Sequence, residues 1–155
     1  EVDKLGQAEA IAPAEAGYRP TDPQIAFHLA RFIEHVRSLP TDPIVLRQNW
    51  LEAYDFATEK GAAALNDYAR RSDPFAQVGK VQVAVDVSSV IRASPNSFRV
   101  AWVERRYQDG ALADTTRWSA ILTVSIRLPR SADALRKNPL GIFVDAFNWS
   151  KELSQ

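Results

Sequence analysis

Apolar residues along the chain fall into two regimes, the first at helical period and the second in strict alternation. In the first, Ile25, Leu29, Phe32 and Val36 recur at spacings of four, three and four. That spacing predicts one buried face of a helix reaching about Ser38. Thr21-Asp22-Pro23 supplies its start, an oxygen-bearing cap followed by proline in the first turn, and Leu39-Pro40 its stop. The same start recurs as Thr41-Asp42-Pro43. Leu46, Trp50, Ala53 and Ala57 then predict a second helix over 43–60, with Gly61 as its C-terminal stop. A third helix from about Ala62 to Arg71 presents Leu65, Tyr68 and Ala69, and Asp73-Pro74 closes the helical half.

After Gly79 the period changes to two. Val81, Val83, Val85 and Val87 alternate with polar or small residues, as in a half-buried strand. The phase slips at Ser88-Ser89, which predicts a bulge. Ser94-Pro95-Asn96-Ser97 is a turn, and Phe98, Val100 and Trp102 share one face of the next strand. Asp109-Gly110 marks a tight hairpin. Trp118, Ala120, Leu122, Val124, Ile126 and Leu128 alternate through a third strand. A short helix or turn over 131–137, a sharp break at Asn138-Pro139-Leu140-Gly141 and a final strand over 142–149 complete the pattern. Helices first and an antiparallel sheet second define an α+β domain, with the helical layer on one curved face. Phe32, Trp50, Val83, Val85, Leu122 and Val124 are the expected core.

The first twenty residues, with Gly6, Pro13, Gly17 and Pro20 among alanines, lack this periodicity and are expected to be a leader or linker. Val2 and Leu5 could pair there as a short strand. Residues 21–155 are expected to form one domain. With no methionine at position 1, the chain reads as part of something longer.

Composition narrows the class without naming an activity. Of 155 residues, 46% are apolar and 25% charged, a globular profile. Nineteen basic residues balance nineteen acidic ones, which argues against a nucleic-acid binder driven by counterion release. No apolar run reaches the length of a membrane span. The absence of cysteine excludes disulfides, thiolate metal sites and cysteine nucleophiles.

Candidate chemistry is sparse. His28 and His35 lie seven apart on the first helix, about 10.5 Å along its axis, too far to share a metal. Solvated or helix-end positions are expected for both. The scattered glycines build no phosphate loop, and no nucleophile elbow is present. Asp55, Asp86 and Asp145 lie in or beside apolar runs, where burial could raise a carboxyl toward general-base use. Tyr54 or Tyr107 could then donate to an oxyanion. Asp86, however, alternates with the valines and is expected to face outward. The inward positions of the sheet read as Val, Phe, Trp, Leu and Ile without an acid, which predicts a filled interior rather than a catalytic pocket.

Several segments together carry a resemblance. They are Thr21-Asp22-Pro23-Gln24-Ile25-Ala26, Leu29-Ala30-Arg31-Phe32, Val36-Arg37-Ser38, Asn49-Trp50 and Ala53-Tyr54, with Asn138-Pro139-Leu140-Gly141-Ile142 and Asn148-Trp149-Ser150 near the end. In order and spacing they resemble the TrbF family of conjugal transfer proteins, over essentially the whole chain. The Asn138–Gly141 element is similar to one shared by the wider family of type IV secretion inner-membrane assembly factors. The resemblance implies a nuclear-transport-factor-2-like fold, a curved four-stranded antiparallel sheet against three N-terminal helices. It also implies the periplasmic part of an inner-membrane protein, with the first twenty residues leading from a membrane helix. Its function would be that of a non-catalytic scaffold, without cofactor or metal, that self-associates and contacts other secretion components. Asn138, Pro139, Leu140 and Gly141 would form its interaction or structural motif. The alternative on the same conical fold is a small-molecule binder or an isomerase- or dehydratase-type enzyme.

Overall fold

A computed structural model describes residues 17–153. Helix α1 spans Asp22–Arg37, α2 Pro43–Asp55, α3 Glu59–Ser72 and the one-turn α4 Pro74–Gln77. Strands β1 (Val81–Ser94), β2 (Ser97–Gln108) and β3 (Ala111–Ile126) follow, then α5 (Ala132–Lys137) and β4 (Ile142–Lys151). The sheet is antiparallel throughout, in the order β1-β2-β3-β4. The expected strand at Val2 and Leu5, and most of the expected leader, lie outside the described residues.

The start signals act as their chemistry requires. Thr21 Oγ1 accepts from the Gln24 amide at 3.3 Å while Gln24 Oε1 accepts from the Thr21 amide at 2.8 Å, a reciprocal cap. Asp42 accepts from the Ile44 amide at 2.8 Å at the head of α2. After α1, Leu39 exchanges backbone hydrogen bonds with Val83 at 3.0 and 2.9 Å and clips onto the outer edge of β1.

The second helix, expected over 43–60, stops at Asp55, and the third, expected from about Ala62, already starts at Glu59. The chain leaves α2 at Phe56 and runs past β4 as an elbow. Val144 N–H donates to Phe56 O at 2.7 Å, and Thr58 N–H donates to Val144 O at 3.1 Å. Thr58 then caps α3 by accepting from the Gly61 amide at 3.2 Å. Gly61 therefore stops nothing and sits in the first turn of α3, where a Cβ would stand 2.1 Å from Val144 O. Glycine is present because the helix lies against the strand's backbone.

In the sheet, the register slips between Val87 and Ser89 as the serine pair indicates. β1 slips again between Arg92 and Ser94, and the β2–β3 and β3–β4 pairings slip at Arg106/Tyr107 and Thr123/Val124. Asp109 and Gly110 both take positive φ, 51° and 78°, the requirement of a two-residue hairpin that matches strand twist. β3 ends at Ile126, one alternation short of the expected Leu128.

The core lies between one sheet face (Phe98, Val100, Trp102, Leu122, Ile142 and Val144) and the helical layer of Leu29, Phe32, Ile33, Leu46, Trp50 and Leu65. Phe32, Trp50, Leu122 and Val124 are buried as expected. Val83 and Val85 are only half-buried, because β1 is an edge strand whose inward face the helices cover incompletely.

Candidate functional site

The break between α5 and β4 is a tightly bonded turn. Ser131 caps α5 by accepting from the Ala134 amide at 3.0 Å, and the helix ends at Asn138. Gly141 N–H donates to Asn138 O at 3.0 Å, closing a four-residue turn with asparagine first, proline second and glycine last, the order a type I turn favours. The Asn138 side chain is 3% exposed and fully used. Its Nδ2 donates to Ile142 O at 3.0 Å and to Asp55 O at 3.3 Å, and its Oδ1 accepts from the Ile142 amide at 3.3 Å. One amide thus ties the turn, the start of β4 and the end of α2 together.

Gly141 has φ +64°, and its carbonyl accepts from the Arg127 amide at 2.8 Å. A Cβ there would lie 1.9 Å from Arg127 O. Pro139 is exposed, and Leu140 is half-buried against the core. Tyr18 Oη donates to Leu140 O at 2.7 Å, so the end of the expected leader touches the turn, and burial pushes the Tyr18 hydroxyl above its ordinary value. Beside the turn opens a cleft of about 690 Å³, lined by Tyr18, Asp55, Arg127, Arg130, Lys137 and Phe143 among others.

The structure separates the carboxylates proposed for acid–base work. Partial burial raises the Asp55 carboxyl, with Lys137 pulling it back, and the side chain lines the cleft. Asp86 is exposed on the outer sheet face, 3.9 Å from Arg105. Asp145 accepts a hydrogen bond from Ser125. Tyr54 donates to Asn66, and Tyr107 lies near the hairpin end of β2, away from all three acids. No acid–base pair forms from these groups.

Two expectations about charged and polar groups are corrected. His28 is buried mid-helix, and His35 lies in the last turn of α1 as the helix-end alternative had it, but is buried too. α1 turns both toward Phe56 at the elbow, with ring centroids 4.0 and 6.2 Å away. Burial, reinforced by Arg31 and His35, holds His28 at about 4, and burial lowers His35 too, although Glu52 Oε1 at 2.8 Å opposes it. No three His, Cys, Asp or Glu side chains cluster to hold a metal among the described residues.

The His28 value sets a pH dependence. Its folded value lies below the unfolded value of 6.5, so the unfolded chain binds the proton more readily. The stability it contributes is fully present above pH 6.5 and falls as pH drops through 4, by up to about 3 kcal/mol. Urea titrations across this range are expected to show that slope, and His28→Phe to remove much of it. An equal slope in both proteins would contradict the assignment.

The second correction concerns the interior. Glu104 is the next inward position of β2 after Trp102, so an acid does face inside. It is not free to act as a base. Arg37, the last residue of α1, approaches it two-pronged, Nε to Oε2 at 2.7 Å and Nη2 to Oε1 at 3.1 Å. Trp102 Nε1 donates to the same carboxylate at 2.8 Å. The two charged side chains are only 9% and 11% exposed. Trp102, Trp118, Trp149 and Tyr68 pack around the guanidinium and occupy the remaining space. The alternation through Phe98, Val100 and Trp102 carried the signal for Glu104. Arg37 had none beyond its place at the end of the buried helix face.

Helices packed into a bulged four-stranded antiparallel sheet, with the sheet's mouth plugged from within, define a nuclear-transport-factor-2-like domain. The solved structures of the same fold include VirB8 of Agrobacterium tumefaciens (TM-score 0.73, 12% identity, 89% of this chain and 98% of that one). They also include a TrwG component of a type IV secretion system from Bartonella birtlesii (TM-score 0.72, 15% identity, 89% and 96%). A conjugal transfer protein TrbF of Rhizobium radiobacter is 32% identical over 99% of this chain and 71% of its own length. The VirB8 protein family matches residues 1–152, and the chain belongs to it. It is a type IV secretion component of the VirB8 and TrbF kind. No helix among the described residues is long and apolar enough to cross a membrane.

Proposed function

We propose that the chain is a non-catalytic scaffold domain that stands in the periplasm, self-associates and contacts other components of a type IV secretion apparatus. In this reading residues 1–20 lead from a membrane helix, 21–155 form the periplasmic domain, and no cofactor is needed. The observation that supports it is the inward face of the sheet at β2, where Glu104 is not free to serve a ligand but is locked to Arg37 under four aromatic rings, while the cleft beside the turn brings no acid–base pair together.

The turn Asn138-Pro139-Leu140-Gly141 is the proposed place where structure and assembly meet. Its asparagine and glycine are consumed by internal contacts, so Pro139 and the open side of Leu140 are what it presents outward. Leu140→Arg, in a variant whose melting curve confirms folding, is expected to lower the association constant at least about tenfold and to depress conjugal transfer. Leu135→Arg, on the exposed side of the adjoining α5, checks the result without touching the core. Sedimentation of the purified domain and mating with the full-length protein read the two effects. Unchanged association and normal mating in both folded variants would end the interface claim.

A further inference from the structure

The Arg37 guanidinium is held as a ligand is held. Its Cζ lies 4.0 Å from the Trp118 ring centroid and 4.9 Å from that of Trp149, with Tyr68 at 5.7 Å and Trp102 at 5.9 Å. Glu104 receives it two-pronged, and Nη1 reaches Tyr68 Oη at 3.3 Å. The rings brace one another. Trp102 stacks on Trp118 at 6.3 Å and 10°, and meets Trp149 edge-on at 6.2 Å, while Tyr68 meets Trp149 edge-on at 5.0 Å. A carboxylate on the floor and electron-rich ring faces at the sides is the recognition chemistry of a planar, weakly hydrated cation.

We infer that the mouth of the sheet is a guanidinium-binding box whose ligand is supplied in cis by the last residue of α1. Every wall comes from elements other than α1. Tyr68 is on α3, Trp102 and Glu104 are on β2, Trp118 is on β3 and Trp149 is on β4. None of these side chains needs the Arg37 backbone to stand where it does. Removing the arginine side chain therefore leaves the box in place and empty, and a free guanidinium can enter past Trp118 and Trp149, which are half-exposed. The box prefers guanidinium to ammonium because only a planar fork satisfies both Glu104 oxygens while its carbon sits over the Trp118 ring.

The test is chemical rescue of Arg37→Ala in the 155-residue protein. The variant is expected to melt well below the wild type. Millimolar methylguanidinium is then expected to restore about half or more of the lost melting temperature, saturably. Sodium chloride or methylammonium at equal ionic strength should restore far less. The wild type, its box filled, should gain nothing. Adding Glu104→Gln to Arg37→Ala should abolish the rescue. Should Arg37→Ala fail to fold alone, recovery of its far-ultraviolet signal with methylguanidinium supports the box, and no recovery counts against it. Equal responses of variant and wild type, or equal rescue by methylammonium, would overturn the proposal.

Discussion

Gly141→Val is expected to leave no folded protein, with soluble yield collapsed and no cooperative melt. Two costs coincide at this position. The left-handed φ of +64° alone costs a side chain roughly 1–2 kcal/mol. The larger cost is steric, because a Cβ would overlap Arg127 O at 1.9 Å, and that oxygen belongs to backbone. Relief would pull β3 from the turn and break the Arg127 to Gly141 hydrogen bond and the Asn138 bracket behind it. The combined loss exceeds about 4 kcal/mol, in the range where single substitutions unfold a domain. Gly79→Ala is the comparison. It too has positive φ, +88°, but nothing lies within 4 Å of its Cβ, so about 1 kcal/mol is expected. Similar urea midpoints for the two variants would show that backbone conformation, and not the clash, governs Gly141.

Glu104→Gln is expected to cost about 3–5 kcal/mol, nearly as much, with almost no change of shape. The amide cannot neutralise Arg37, and that guanidinium is too enclosed by Trp118 and Trp149 to recover its hydration. Replacing both partners with methionine should cost much less than the single change, because a buried pair is worth little against a well-packed apolar substitute. A double-mutant cycle by urea unfolding checks this. A single-variant cost below about 1 kcal/mol would mean that solvent reaches the pair freely, and a double variant as unstable as the single would mean that lost packing, not the unpaired charge, sets the cost.

How much of this was legible before the fold was seen depended on whether a contact was local. Thr21, Asp42 and Asp109-Gly110 act on their own neighbours, and each does what its sequence context indicates. The slip at Ser88 was equally plain, since alternation loses phase within a few residues. The Asn138-Pro139-Leu140-Gly141 break was legible as a turn, but its grip on Asp55 and Arg127 was not, because neither partner is near in sequence. The break at 56–58 failed for the same reason. Leu51-Glu52-Ala53 before it and Ala62-Ala63-Ala64-Leu65 after it favour helix, so Thr58 as a cap is the weak local signal and the pairing with β4 is the strong, distant one. The burial of His28 and His35 was missed because of residue type, since both fall on the side of α1 that packs against Phe56.

The elbow at 56–58 also bears on the order of assembly. Its bonds to Val144 join positions at least 86 residues apart, with three strands of the sheet between them in the chain. Until β4 docks, Phe56 O and the Thr58 amide lack the partner that fixes the elbow, and Thr58's cap on α3 marks the boundary only locally. Helices and sheet are therefore expected to fold and unfold as one cooperative unit, at the slower pace of distant contacts.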